Sequence, residues 1–557
     1  MSKEQDEQRP PALVDQLPDE ILEAVFLLNT SKEFQNDCLI HDPHRTTIAT
    51  VLVCKRWHNV ALDYPALWSR IIDYERHPPQ WVEELLRRSK SSPIDVGEDS
   101  VFKHVRLRNH GGKAMLGQIF EHASTIRTLS LQITYSPWDL ICKKFLQYPA
   151  PLLEYLNLIT SCPFPDCLYP GPLFALEAPR LRRLHLQRCL IDFSSPVLTN
   201  LTELSVLDIL APRIMSMRKP DHPLKVAPTV GGWLRILEHI PSLLYLTLSS
   251  AITHSSNEDD PMPDVHLPNL LFLTVGATFN DGTAFLHHLS IPATCGVRLR
   301  FSHNRSSPGL DGTKLLSFLS TRLSYWPDGS HDRYLQAKIL SGDRVHFGNS
   351  RRVGYIWDMT ESAVIQEHTL TSADPLIWLV LSFDSSDDTL IFFNQLLALY
   401  ETTYSTTTML ELWVDEEFTT MATAPVNGLA SAPSRNTLHS FFAVKNLNLL
   451  GRSPVYLLPI FQTASLPERP VFPALRSLRL TRTNFEDGQR SAYYTVIDFL
   501  IWRTKMHMPV TELQIIESKI TKETEDSLSQ IGNVKVTLGS LGSNLIAEDL
   551  SDQEDVG

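Results

Sequence analysis

Cys162 and Cys167, five apart in "CPFPDC", form the first pair in this 557-residue chain with a spacing that suggests metal binding. A structural zinc site needs four ligands, usually as two such pairs. No second pair stands at zinc spacing, so neither a metal nor a cofactor is expected. His287 and His288 are adjacent on a predicted helix. Neighbours in a helix point to different faces, so the two do not share one ion. The chain holds no G-x-S-x-G, H-E-x-x-H, Walker-type or G-x-G-x-x-G motif. Trp357–Asp358 is one dipeptide without a blade-length repeat and does not argue for a propeller. The expectation is a protein that is not an enzyme. Cys54, beside Lys55 and Arg56 in "VLVCKRWHNVALDYPALW" (51–68), sits in a setting that activates a thiol when met alone.

The composition is that of an ordinary globular protein, 43% hydrophobic and 20% charged. A formal net charge of -13 repels phosphate backbones, so nucleic acid is not an expected partner. The polar start "MSKEQDEQRPP" has no apolar core behind it, and no apolar run reaches 18 residues, so no membrane association is expected. Seven scattered cysteines fit reduced thiols in the cytoplasm or nucleus.

The elements that could position a binding surface come from a repeat. "PLLEYLNL" (151–158), "PRLRRLHL" (179–186), "PSLLYLTL" (241–248), "PNLLFLTV" (268–275) and "PALRSLRL" (473–480) share P-x-L-x-x-L-x-L, with Val allowed last. Looser copies are "IRTLSL" (126–131), "LTELSV" (201–206), "VKNLNL" (444–449) and "VTELQI" (510–515). Alternating L-x-L predicts a strand with one buried face. Proline stops a preceding helix and tolerates a strand entrance. Helix-like segments precede three of these prolines or their equivalents, at 138–149, 233–241 and 499–509. The last patterned positions, 131, 158, 186, 206, 248 and 275, are spaced by 27, 28, 20, 42 and 27, and the long interval holds the insert at 218–232. Leucine-rich repeats run about 20–29 residues. Cys189 falls three places after Leu186, where such repeats carry Asn or Cys. "DGTAFLHHLS" (281–290) and "DGTKLLSFLS" (311–320) predict two capped helices.

The body therefore resembles an irregular leucine-rich-repeat solenoid over 101–540, an α/β fold with a parallel sheet. Residues 300–405 fit less well, with a hairpin predicted around Gly348–Asn349, and 541–557 predicts an acidic disordered tail. Residues between the strand leucines are expected on the concave face: Tyr155, Asn157, Arg183, His185, Gln187, Tyr245, Thr247, Ser477 and Arg479. Arg183 with His185 favours an acidic or phosphorylated ligand. The expected target is a protein that the sequence does not identify.

Ahead of the repeats, Asp19 and Glu20 after Leu17–Pro18 mark a helix start, and Ile21, Leu22, Val25, Phe26 and Leu28 recur at helical spacing. A second helix is predicted from Thr46 or Thr47 to Cys54. A third begins near Lys55–Arg56 and is ended by Pro65. Three short helices cannot enclose this much apolar surface alone.

"LPDEIL…VLVCKRWHNVA…PALW" resembles an F-box over residues 13–77. The following "WVEELLRRSKSSPIDV" (81–96) is similar to the linker helix and entry strand that join F-boxes to repeat domains in fungal-type proteins, here 78–100. The stretch 29–45 is longer than the usual connector. The resemblance implies docking on a Skp-family adaptor, through it a cullin–RING ubiquitin ligase, and a repeat domain that presents the substrate. Motif matching carries the adaptor-binding role to Leu17, Pro18, Ile21, Leu22, Phe26, Val53, Cys54, Trp57, Leu67 and Trp68, with Cys54 as a small apolar contact; inward packing of Trp68, or of all of these as the core of a helical cap, is the alternative. The alternative is a repeat scaffold with no part in ubiquitination.

Overall fold

The computed structural model describes residues 17–30, 34–35, 38–39, 43–97, 105–107, 110–133, 141–160, 168–169, 171–209, 227–254, 262–302, 312–323, 334–340, 344–350, 377–382, 396, 407–414, 439–465, 470–486, 492–531 and 534–539. They fall into two compact units, Met1–Val226 and Ala227–Gly557. Cys162, Cys167, Trp357–Asp358 and the tail 541–557 lie outside the described residues.

The first unit opens with α1 (Asp19–Leu28), α2 (Pro43–Val51), α3 (Lys55–Leu62) and α4 (Pro65–Arg70). Three helices were predicted, with Pro65 as a terminator. Pro65 instead opens a fourth, because a first-turn proline loses no helical hydrogen bond and its φ is already helical. Pro43 likewise begins α2 upstream of the predicted Thr46. Within the long 29–45 connector, Phe34–Gln35 pairs antiparallel with Cys38–Leu39. Then come α5 (Pro79–Ser89) and β1 (Ile94–Val96). Leu22, Phe26, Val60, Ala61, Leu67, Trp68, Val82, Leu85 and Leu86 form the buried interior of these helices.

Beyond them, β2 (Val105–Leu107), α6 (His110–Glu121), β3 (Ile126–Ile133), β4 (Tyr155–Thr160), β5 (Arg183–Gln187) and β6 (Glu203–Leu207) follow in order. Strands β1 and β2 both pair with β3, and β3, β4, β5 and β6 run side by side, all parallel. The register stacks the repeat: Leu129, Leu156, Leu184 and Leu204 in one row, and Leu131, Leu158, Leu186 and Val206 in the next. Every member of both rows is buried. The Cys189 thiol is also buried, and donates to the Leu158 carbonyl at 3.4 Å.

The second unit contains α7 (Val230–Glu238), β7 (Tyr245–Ser249), β8 (Phe272–Thr278), α8 (Phe279–His287), β9 (Gly296–Ser302) and α9 (Thr313–Leu323). Then follow β10 (Tyr334–Leu340), β11 (Arg344–Ser350), β12 (Ile377–Ser382), β13 (Met409–Val414) and β14 (Asn446–Leu450). It ends with α10 (Ser453–Ala464), β15 (Ser477–Thr481), α11 (Ala492–Lys505), β16 (Glu512–Ile516), α12 (Lys522–Ser529) and β17 (Lys535–Gly539). The spatial order is β7-β8-β9-β12-β11-β10-β13-β14-β15-β16-β17. Only β11 runs against its neighbours. Among the described residues of the irregular stretch, β11 is an antiparallel strand set into an otherwise parallel repeat sheet. Gly348 and Asn349 lie inside β11, opposite Gln336 and Leu335, not at a turn. The backbone pairing with β10 runs on through this Gly-Asn pair as far as Ser350, and the pair nearest the chain reversal is Leu340 with Arg344.

The repeated proline has a sharper role than the sequence suggested. Leu153, Leu181, Leu270 and Leu475 donate their N–H groups to the carbonyls of Ala150, Ala178, Leu267 and Phe472, three residues upstream. Pro151, Pro179, Pro268 and Pro473 therefore occupy the second position of a β-turn, which their fixed φ pre-sets. The strands end alike. Arg188, Asp208, Ser250, Gly451, Arg482 and Glu517 each directly follow a strand and have φ between 47° and 61°. At five of them the N–H extends the ladder: Arg188 to Leu207, Ser250 to Gly276, Gly451 to Thr481, Arg482 to Ile516 and Glu517 to Gly539. Two repeats, those of β5 and β15, show the whole unit: a proline turn, a short strand and a left-handed exit.

Candidate docking surface

Helix α1 has two apolar faces. Leu22 and Phe26 point inward, each 1% exposed, and the Phe26 ring lies 5.3 Å from Trp57. Ile21, Val25 and Leu28 recur at helical spacing on the other face, 47%, 38% and 74% exposed. Pro18 precedes the helix, and Leu17 beside it is a further exposed apolar side chain. Between α2 and α3, Leu52 and Val53 are 75% and 58% exposed. The two groups share one end of the bundle because Arg56, three residues after Val53, reaches back to α1. Its guanidinium donates to the Asp19 carboxylate at 2.6 Å and to the Leu17 carbonyl.

Cys54 sits between them with extended backbone as the N-cap of α3, and its sulfur accepts the Trp57 N–H at 3.5 Å. The thiol is exposed and caps a helix end in addition to lining the surface. Nearby, burial and the Glu23 carboxylate push the Tyr64 phenol above its ordinary value.

Four motif positions are corrected by this geometry. Leu22, Phe26, Leu67 and Trp68 lie in the interior and present nothing to a partner. Trp68 is fully buried; its indole N–H donates to the Ala61 carbonyl at 2.8 Å, and the Arg88 guanidinium lies 4.6 Å from its ring centroid. Leu67 and Trp68 turn inward because Pro65 begins a helix where an exit was predicted. Leu17, Pro18, Ile21, Val53 and Cys54 are exposed, and Trp57 is half-buried. Val25, Leu28 and Leu52 join the surface; the first two shared the predicted apolar periodicity but were given no partner role.

The strand positions between the leucines also part into two groups. Tyr155, Asn157, His185 and Ser477 are buried, against the expectation of a solvated face. Some of these side chains meet across the sheet: Asn157 Nδ2 donates to Ser130 Oγ at 2.9 Å, and Arg183 lies over the Tyr155 ring at 4.9 Å. Arg183, Gln187, Thr247 and Arg479 are half-exposed and Tyr245 is exposed. Gln187 donates to Asp208 at 2.6 Å and Arg479 to Gln514 Oε1 at 2.8 Å. The sequence reading missed Glu411, Asn448 and Thr481 on the same kind of face, where Asn448 donates to Glu411 at 2.8 Å and accepts from Thr481 at 3.0 Å. Burial pushes the Arg298 guanidinium, in the Thr247–Thr274–Arg298 row, down to about 10, so it stays charged at neutral pH.

Among the described residues no group of three or more His, Cys, Asp or Glu side chains is placed to hold a metal ion. His287 and His288 have ring centroids 5.1 Å apart, and His288 Nδ1 faces the Asp264 carboxylate at 2.8 Å. No described helix is long and apolar enough to cross a membrane.

No family model matches the chain, and comparison with curated proteins gave no match. Among solved structures, a leucine-rich-repeat (LRR) protein of Leptospira interrogans aligns over 86% of this chain and 97% of its own, at 11% identity and a TM-score of 0.31. The strand register itself makes this an α/β repeat fold built on a large parallel sheet.

Proposed function

We propose that the chain is a substrate receptor of a Skp–cullin–F-box type ubiquitin ligase. The helical N-terminus docks on a Skp-family adaptor, and the repeat sheet holds a target protein. The ubiquitin-transfer chemistry belongs to other subunits. One observation carries the reading: among the described residues of the helical bundle, the large apolar side chains left in water are Leu17, Ile21, Val25, Leu28, Leu52 and Val53. Leu17, Ile21, Leu52 and Val53 fall in the two segments of the F-box-like motif, and Val25 and Leu28 continue the first along α1. Clustered apolar anchors of this kind mark protein interfaces.

Co-purification with a Skp-family adaptor tests this, comparing wild type with Leu17→Ala/Pro18→Ala. The account expects the adaptor with the wild type and little with the double variant. Absence of the adaptor from the wild type refutes the receptor role. The predicted target-facing side chains that reach solvent are Arg183 and Gln187 in the first unit and Tyr245, Thr247 and Arg479 in the second.

A further inference from the structure

The irregular part of the second unit's sheet gathers positive charge. Strands β9, β12, β11, β10 and β13 lie side by side there. Alternate positions along them are apolar but for Asn349, and of these Val297, Leu299, Leu379, Leu410 and Leu412 are buried. The intervening positions therefore share the opposite face. Arg298, Arg300, Arg344 and Lys338 stand on that face, against one carboxylate, Glu411. In a chain of formal net charge -13 this is a local reversal of sign. The inserted antiparallel pair, β10 and β11, supplies Lys338 and Arg344, so the break in the repeat also brings in charge.

Arg300, Val380, His346, Lys338 and Trp413 fall in one register row, in that order. Arg300 is exposed and has no ion-pair partner among the described residues. Glu411 stands one row away, where its carboxylate accepts the Asn448 amide at 2.8 Å.

We propose that this face binds an acidic segment of the target protein, with Arg300 and Lys338 as its charged contacts. Carboxylates complement guanidinium and ammonium groups in both charge and hydrogen bonding. Arg300 and Lys338 are three strands apart, about 14 Å at the usual strand spacing, and an extended segment covers that span in about four residues. A nucleic acid carries the same charge but continues beyond it. The rest of so acidic a chain repels a long phosphate backbone, whereas a short segment meets only the cationic strands. Sequence reasoning placed such a ligand at Arg183 and His185 in the first unit, but there Arg183 lies over the Tyr155 ring and His185 is buried. That the segment belongs to a ligase target rests on the receptor reading above; the acidic-ligand surface does not.

The test is fluorescence anisotropy of a short labelled peptide rich in Asp and Glu, titrated with the full chain in the absence of adaptor. Its Asn/Gln counterpart and a single-stranded DNA oligonucleotide are the comparison probes. Wild type should bind the acidic peptide, more weakly as salt rises, and each of the other two at least about tenfold less. Arg300→Glu and Lys338→Glu should each weaken the acidic peptide by about tenfold or more, as for the loss of one charged hydrogen bond. Lys522→Glu makes the same charge change on α12 and should shift the affinity by less than about twofold. Thermal melts matching wild type show that the variants are folded. Lack of binding by wild type overturns the proposal, as does wild-type affinity in either variant of the face. An equal loss in Lys522→Glu also overturns it, because net charge alone would then be read. Tighter binding of the oligonucleotide assigns the face to nucleic acid and overturns it too. Adaptor binding is measured separately. Wild type that binds adaptor but no peptide keeps the receptor reading and refutes the surface; peptide without adaptor does the reverse.

Discussion

Ile21 and Leu22 are chain neighbours with opposite surroundings, one 47% and the other 1% exposed. Their substitutions should separate accordingly. Leu22→Ala and Trp68→Ala empty packed volume and should cost about 2–5 kcal/mol in urea unfolding. Ile21→Ser should change stability by less than about 0.5 kcal/mol, because the side chain already meets water. The motif positions were legible in sequence. Which of them face out was not, because that depends on tertiary neighbours such as the Phe26–Trp57 contact. An acid-dependent polar interaction among the described residues is also local. Hydrogen bonds from Arg87 and then Arg88 hold the Glu84 carboxyl down to about 2, from an ordinary 4.5. Its contribution is present above about pH 4.5 and is lost as pH falls through about 2. The melting-temperature gap between wild type and Glu84→Gln should therefore close over that window.

At the scale of the element, strand exits and helix–strand contacts carry the strain. Ser250 follows β7 with φ at 50°, a conformation that costs a non-glycine residue about 1–2 kcal/mol. Ser250→Gly should stabilise the chain by about 0.5–1 kcal/mol in the same unfolding measurement. Gly282 works the other way. A Cβ there would collide with the Phe301 ring across α8 and β9, so Gly282→Ala should destabilise by about 1–3 kcal/mol. The repeated strands were readable because L-x-L fixes both period and buried face. Their left-handed exits were not, since of six such positions only Gly451 is a glycine. The reversed strand β11 was half readable. Its apolar alternation marks a strand, but its direction is set by pairing with β10 and β12.

For the molecule as a whole, the repeat supplies a frame and the helical start supplies an apolar surface that the frame does not cover. The large parallel sheet was legible because the copies share one physical solution, a short strand that buries a pair of leucines two residues apart. The rows between the leucines were misjudged because residues such as Asn157 and Tyr155 pack against their cross-strand neighbours, Ser130 and Arg183. The most direct measurement of the central claim is the affinity of the full chain for a purified Skp-family adaptor, by calorimetry, beside its Ile21→Asp variant. The account predicts binding by wild type, a loss of about 2 kcal/mol or more in the variant, as for an interface hot spot, and matching thermal melts. Failure of wild type to bind, or equal binding by a folded Ile21→Asp chain, would contradict it.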